Sequence, residues 1–228
     1  MNTQINRAFF GYDTVNEFKN YFFIDQAAEF EQLIMMYNCA IKELKTRLDI
    51  LNEELSLTTK QNPIEFITYR IKKPESIANK LKKRGHPVTV ESISKNLNDV
   101  AGIRVICPFI DDIYEIAKML TIQDDIILIE EKDYIQNPKE NGYRSLHLIV
   151  EVPVFFSNHK RFIRVEVQIR TIAMDFWASL DSQLKYKKQL DNAEEVGQEL
   201  RECADIISQT DWRMLEIKNR IYDKEESL

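Results

Sequence analysis

The residues best suited to chemistry form a polar row on one predicted strand, residues 161–170. The apolar side chains of this segment point to one face, and Arg164, Glu166, Gln168 and Arg170 point to the other. Such a row marks either a solvated sheet face or a face that binds a polar ligand. Glu166 supplies the carboxylate of this row and is its candidate for proton transfer or metal binding.

A second carboxylate, Asp99, stands at the start of a predicted strand, residues 101–107, which contains Arg104. Taken alone, such an aspartate is typical of a turn. Two carboxylates on neighbouring strands can together hold Mg²⁺, which prefers oxygen ligands and keeps several waters. Asp99 and Glu166 are therefore a candidate Mg²⁺ site.

Residues 70–104 form a basic island in an acidic chain. They hold nine basic and three acidic residues, whereas the formal net charge of the 228 residues is −6. This distribution argues against non-specific binding to nucleic acid and favours a local anionic ligand such as a polyphosphate. Together with two carboxylates, the island indicates phosphoryl chemistry, in which cations neutralise charge moving between oxygens.

Several familiar classes are excluded by motif. The five glycines are too far apart for GxGxxG or a Walker A loop, no histidine is followed by aspartate, and GxSxG is absent. The three cysteines lack CxxC spacing, which favours a reduced, cytoplasmic setting and argues against zinc. No export signal or stretch of roughly 18 apolar residues appears, so we expect neither secretion nor a membrane span.

The elements that must position these residues alternate between helix and strand. The pattern predicts helices at 74–84, 89–97, 112–120 and 171–187, and strands at 101–107, 125–130, 145–152 and 161–170. Heptad seams flank them, from Phe30 to Leu55 and from Ala193 to Ile221. A seam needs a partner, which is either the rest of the chain or another subunit. The prediction is one α+β domain with helical flanks.

Four motifs in this order, across about residues 63–188, resemble those of the synthetase domain of RelA/SpoT homologues. They are Arg70-Ile71-Lys72 with Pro74, Ser76 and Lys80; Asn98-Asp99-Val100-Ala101-Gly102-Ile103-Arg104; Lys132-Asp133-Tyr134-Ile135 and Pro138-Lys139 with Asn141-Gly142-Tyr143-Arg144-Ser145-Leu146-His147; and Val165-Glu166-Val167-Gln168-Ile169-Arg170-Thr171 with Trp177-Ala178. Asp181-Ser182 stand where the family often shows Glu-His. Hydrolase motifs are absent, so the chain most resembles the stand-alone small alarmone synthetases.

The resemblance implies a mixed β-sheet, nucleotidyltransferase-like α+β fold with long N- and C-terminal helices. It implies transfer of pyrophosphate from ATP to the 3′-hydroxyl of GDP or GTP, giving ppGpp or pppGpp and AMP. On this basis we expect an N-terminal helical extension at 1–62, a synthetase domain at 63–188, and a C-terminal oligomerisation helix at 189–228. A homotetramer is the expected assembly.

The resemblance also implies a role for each site residue. Arg70 and Arg104 would sandwich adenine, a task suited to flat guanidinium groups. The ATP phosphates would be contacted by Lys72, Ser76 and Lys80. Asp99 and Glu166 would hold Mg²⁺, and Glu166 would act as the base. The expected GDP- or GTP-binding residues are Tyr143 stacked on guanine, Asp175 at its edge, and Lys132, Lys139, His147 and Gln168.

Two alternatives stay open at this point. One is a nucleotidyltransferase-like enzyme that joins a nucleotide to another acceptor. The other is a catalytically silent module that binds nucleotide or RNA. Two carboxylates beside phosphate disfavour a silent module, because a binder of anions gains nothing from them. RNA or an alarmone as a regulator is a further open possibility.

Overall fold

The computed structural model of the chain describes residues 27–59, 62–186 and 193–225. Its elements are α1 (Ala27–Thr59), β1 (Phe66–Ile71), α2 (Pro74–Lys83), α3 (Val90–Asn96), β2 (Ala101–Cys107), α4 (Ile110–Thr121), β3 (Ile127–Asp133), β4 (Leu146–Phe155), β5 (Lys160–Thr171), α5 (Ile172–Tyr186) and α6 (Ala193–Glu225). None of the described helices is long and apolar enough to cross a membrane. The predicted start of the N-terminal extension, residues 1–26, and Lys187 lie outside the described residues.

The five strands form one mixed sheet in the order β1-β2-β5-β4-β3. The central strands β2 and β5 are parallel, and the other neighbouring pairs are antiparallel. Parallel neighbours need a long crossover, which α4, β3 and β4 supply here. In this register Gly102 lies opposite Glu166 and Arg104 opposite Gln168, so β2 and β5 present polar side chains on the same face. The predicted α+β class with a mixed sheet is confirmed.

The apolar face of the sheet is covered by α1. Phe30, Leu44 and Leu48 of the predicted N-terminal seam are completely buried, and the helix packs on β4, β5 and β2. The partner of this seam is therefore the chain's own sheet. A heptad pattern cannot distinguish a sheet from a second helix, because both bury the same stripe of side chains.

Most predicted element boundaries hold to within about two residues, the ordinary uncertainty of helix and strand ends. The helix predicted from Asp112 starts earlier, at Ile110, and Asp112 sits in its first turn, where its carboxylate accepts the backbone N–H of Phe109 at 3.1 Å. Residue 171, predicted to open α5, is the last residue of β5. Its hydroxyl accepts the backbone N–H of Met174 at 3.1 Å and so caps the helix.

The two edge strands differ most from expectation. β1 was not predicted, because it is mostly exposed and shows no clear alternation of apolar and polar residues. β3 begins at Ile127 and runs to Asp133, later than the predicted 125–130, and its pairing with β4 shifts between Leu128 and Glu130. Asp125 lies before the strand, where both its oxygens accept from Arg47 of α1, at 2.8 and 2.7 Å. Edge strands are weakly specified by local sequence, since one side lacks a partner strand.

The C-terminal helix α6 packs on the domain with a face that differs from the predicted seam. Its buried positions are Ala204 and Asp211, whereas the seam residues Cys203, Met214 and Ile221 are exposed. The helix contacts α5 and α4. Trp177 of α5, predicted to be a core residue, is 5% exposed and donates from its indole to the carbonyl of Leu200 at 2.8 Å.

Candidate active site

The polar face of the sheet holds a cavity of about 250 Å³. Gly102 and Arg104 of β2 contribute to its wall together with Glu166 and Gln168 of β5. The turn before β2 adds Asp99. Both predicted carboxylates therefore line one concave surface, Glu166 through strand alternation and Asp99 from the turn before β2.

Asp99 is held by two lysines of the basic island. Its Oδ2 accepts a hydrogen bond from Lys72, which directly follows β1, and another from Lys80 of α2 at 2.5 Å. Burial favours the neutral acid, but the hydrogen bonds and charges of Lys72 and Lys80 outweigh it and lower the pKa of Asp99. Its Oδ1 is buried and makes no hydrogen bond with any residue that the structure describes. Asp99 is thus ionised, with one oxygen free to accept a cation.

Glu166 lies next to two polar side chains of the same face. Gln168 donates from Nε2 to its Oε2 at 2.8 Å, and Nδ1 of His147 lies 3.6 Å from its Oε1. Burial opposes ionisation, but His147 and Gln168 together lower the pKa of Glu166 below its ordinary value. A carboxylate that is ionised, partly buried and aimed at a cavity is suited to accept a proton or to bind a metal.

Arg170 organises the neighbouring part of the site. It is 4% exposed, and it donates to Asp175 at 3.1 Å, to Gln168 at 2.9 Å and to the hydroxyl of Tyr143. Sequence reasoning placed Arg170 on the polar row without giving it a role. The signal was its period-2 phase with Glu166, but its burial depends on α5 and on the loop before β4.

Asp175 joins two arginines. Its Oδ1 accepts from Arg104 at 3.0 Å and from Arg170 at 3.1 Å. Burial and the nearby charge of Arg170 lower the pKa of Arg104, while Asp175 opposes that change. This carboxylate therefore fixes the guanidinium groups of β2 and β5 relative to each other.

Tyr143 lies in the loop of residues 134–145, which precedes β4. Its hydroxyl is 2.8 Å from Nε2 of His147, and its ring makes an edge contact with Tyr134 at 6.1 Å between centroids. The ammonium group of Lys139 lies 4.9 Å from the centre of the Tyr143 ring. The guanidinium of Arg170 lies 4.9 Å from the same ring centre, so the loop presents a half-buried aromatic ring beside two cations that suit an anionic ligand.

The remaining predicted residues, Arg70, Ser76 and Lys132, are all exposed. Arg70 of β1 is exposed and lines the cavity, and Ser76 is exposed on α2. Lys132 of β3 lies opposite His147 of β4 and pairs with Glu130 at 2.9 Å. This hydrogen bond to Glu130 raises the pKa of Lys132 despite slight burial.

A mixed sheet whose polar face joins two ionised carboxylates to arginines and lysines is the kind of site that phosphoryl chemistry requires. Residues 69–191 match the region found in RelA / SpoT proteins, more than half of the chain. The chain belongs to this family.

Relatives agree along most of the chain. It is 43% identical over 188 residues to the GTP pyrophosphokinase YwaC of Bacillus subtilis, covering 82% of this chain and 90% of that protein. Its fold is similar to the crystal structure of small alarmone synthetase 1 of B. subtilis bound to its product pppGpp, with a TM-score of 0.77 and 34% identity over 86% of this chain and 99% of that one. A structure of the same synthetase bound to AMPCPP has a TM-score of 0.71 and 30% identity, covering 86% and 98%.

Proposed function

We propose that this protein is a GTP pyrophosphokinase of the small alarmone synthetase type. It transfers the β,γ-pyrophosphoryl group of ATP to the 3′-hydroxyl of GDP or GTP. The 3′-oxygen attacks the β-phosphorus, the bond from that phosphorus to the α-phosphate oxygen breaks, and AMP leaves. The observation that carries the proposal is the pair of ionised carboxylates, Asp99 and Glu166, on one cavity beside the basic island.

Glu166 is proposed as the base that takes the proton of the attacking 3′-hydroxyl. Its lowered pKa keeps the carboxylate unprotonated at neutral pH, and Gln168 and His147 hold it at the cavity wall. General base catalysis of this kind contributes about 10²–10⁴-fold to a rate.

The residues present fit a Mg²⁺ ion. Asp99 keeps one buried oxygen without a hydrogen-bond partner among the described residues, and Glu166 lines the same cavity. Mg²⁺ commonly binds one or two carboxylates together with substrate phosphates, and these two carboxylates match that requirement. When bound, Mg²⁺ would neutralise charge on the transferring group.

The ATP side is assigned to the basic island and its neighbours. Arg70 and Arg104 would sandwich adenine, while Lys72, Ser76 and Lys80 would bind phosphates. Lys72 and Lys80 hold Asp99 between them, so phosphate binding would place ATP directly beside the metal ligand. AMPCPP, an ATP analogue, occupies a relative of similar fold.

The GDP or GTP side is assigned to the loop 134–145 and the strands next to it. Tyr143 would stack on guanine, and Lys132, Lys139, His147 and Gln168 would contact the sugar and phosphates. Asp175 would read the guanine edge with Oδ2, because Oδ1 already accepts from Arg104 and Arg170. The similar synthetase whose structure holds pppGpp supports a guanosine ligand for this chain.

The proposed organisation is a synthetase domain at 63–188, an N-terminal extension 1–62 whose helix α1 completes the core over the domain's sheet, and an oligomerisation helix at 189–228. We propose a cytoplasmic homotetramer. Three free cysteines support a reduced, cytoplasmic location, and the exposed apolar stripe on α6 supports subunit contact.

The test is an assay of purified protein with ATP labelled on the γ-phosphate, Mg²⁺, and GDP or GTP, followed by separation of the products. We expect label on a guanosine nucleotide and stoichiometric AMP. Release of pyrophosphate without labelled guanosine nucleotide would instead identify a nucleotidyltransferase. Absence of any product would leave a binding module and refute the proposal.

A further inference from the structure

The loop 134–145 rests directly on helix α6. Gly142 has a φ of +88°, and a Cβ built on it would lie 2.6 Å from the Cβ of Ala204. Real Cβ atoms do not approach this closely, so the loop backbone and the helix touch without space for a side chain. Ala204 is itself 4% exposed.

Arg144 ties the same loop to the same helix. Its Nη1 donates to the carbonyl of Gly142 at 3.0 Å and to the carbonyl of Ala204 at 3.4 Å. Its Nη2 donates to the carboxylate of Asp205 at 3.0 Å. Tyr143 lies between Gly142 and Arg144 in the chain. The residues on either side of Tyr143 therefore both contact α6, and these contacts restrict the orientation of the Tyr143 ring.

A second connection leads from α6 to the helix that carries Asp175. Asp211 is 6% exposed and accepts the hydroxyl of Thr171 at 2.6 Å. The same hydroxyl caps the start of α5, one turn ahead of Asp175. Both groups assigned to guanine recognition, Tyr143 and Asp175, are thus supported by contacts with α6.

We propose that α6 is a positioning element for the guanosine-nucleotide side of the site. Ala204 and Asp205 of this helix and Arg144 of the loop are positioning residues that act through Tyr143. The inference rests on the proposed function. On the ATP side, Asp99 is held by Lys72 and Lys80, neither of which is part of α6. Disturbing the contact between loop and helix should therefore weaken the use of GDP and leave the use of ATP nearly unchanged.

The first test is Ala204→Leu, which forces α6 away from Gly142, with Gln209→Leu at an exposed position of the same helix as its matched control. We expect the KM for GDP to rise about tenfold or more, because misplacing a binding group by about 1 Å can cost as much as about 10²-fold. The KM for ATP should change less than about twofold, since interactions lost on one substrate appear in that substrate's KM. Calorimetric titration with GDP alone should show the same weakening.

The second test keeps the proposal falsifiable if the leucine variant does not fold. Arg144→Gln, Asp205→Asn and the double variant form a cycle, and we expect the single effects on the KM for GDP to be non-additive. Equal changes in the two KM values, or none in an active protein, would overturn the inference. A wild-type protein that binds GDP but transfers nothing would refute the proposed function instead, and the binding titrations would still decide the role of α6.

Discussion

At the scale of single residues, the environment of Glu166 leads to a strong prediction. Glu166→Gln retains the shape of the side chain between His147 and Gln168, so the fold should persist. The amide cannot take the 3′-hydroxyl proton, and we expect turnover to fall about 10²–10⁴-fold, the usual contribution of a general base. Initial rates of AMP formation measure this effect. A variant that keeps more than about a tenth of the wild-type rate would remove Glu166 from the role of base.

Asp99→Asn separates metal binding from proton transfer. Asp99 shares the cavity with Glu166 but holds Lys72 and Lys80, so its loss should weaken metal binding without removing the base. We expect excess Mg²⁺ to restore part of the activity of Asp99→Asn and none of that of Glu166→Gln. Rates across a Mg²⁺ titration give the comparison, and equal rescue of both variants would contradict it.

Tyr143 is the residue through which base recognition can be measured. Tyr143→Ala removes the ring on which guanine would stack, an interaction worth about 1–3 kcal/mol per base in nucleic-acid sites. The KM for GDP should rise far more than the KM for ATP. Tyr143→Phe keeps the ring but takes an acceptor from Arg170, and it should lie between the wild type and the alanine variant. Equal effects on both substrates would make Tyr143 a structural residue.

At the scale of elements, α1 belongs to the core of the domain. Leu48 is completely buried, whereas Leu57 on the same helix is 84% exposed. Replacing a core leucine by alanine costs about 2–5 kcal/mol, and Leu48→Asp should lower the free energy of unfolding by at least as much. Leu57→Asp should change the free energy of unfolding little. Urea denaturation followed by circular dichroism makes the measurement. If Leu48→Asp gave a folded protein of lower mass, the seam would be a subunit interface.

The contact of α6 with α5 contains a carboxylate whose titration can be followed. Burial raises the pKa of Asp211 from 3.8, although the hydrogen bond from Thr171 opposes that change. A carboxyl group whose pKa is higher in the folded state stabilises the fold fully at pH values below its unfolded-state pKa. This contribution is lost as the pH rises through its folded-state pKa. Asp211→Asn keeps an acceptor for Thr171 without the charge. At pH 7 we expect its Tm to exceed the wild-type value by about 2–4 °C, the shift that about 1 kcal/mol gives in a domain of this size.

Thermal melts of the wild type and Asp211→Asn over a pH series check the sign of this effect. The difference in Tm should be largest at neutral pH and should disappear as the pH falls to about 4, near the ordinary pKa of an aspartate. A difference that widens toward acid would show that the ionised form of Asp211 stabilises the fold.

At the scale of the whole molecule, the outer face of α6 is the expected subunit contact. Ile206, Met214 and Ile221 are exposed by 63%, 49% and 53%. An apolar stripe of this kind is typical of an interface. Light scattering at micromolar concentration should give the mass of a tetramer, and Met214→Asp with Ile221→Asp should reduce it. A monomeric wild-type protein would refute the proposed assembly.

Much of the site followed from local pattern. The alternation in residues 161–170 placed Glu166 and Gln168 on a polar face, and the strand Ala101–Cys107 was predicted with both ends correct. Strand alternation is a property of neighbouring residues, so a short window of sequence carries it. The pattern alone showed only that Asp99 and Glu166 could share a metal site. The family resemblance then assigned both residues to one site.

Other features were decided by contacts between distant parts of the chain. The sequence determined that residues 30–55 bury an apolar stripe, but the sheet it packs on was set by tertiary structure. The burial of Arg170, the pairing of Asp175 with two arginines, and the contact of Ala204 with Gly142 have the same origin. None of them leaves a periodic signal, because each depends on which elements meet in space rather than on spacing along one element.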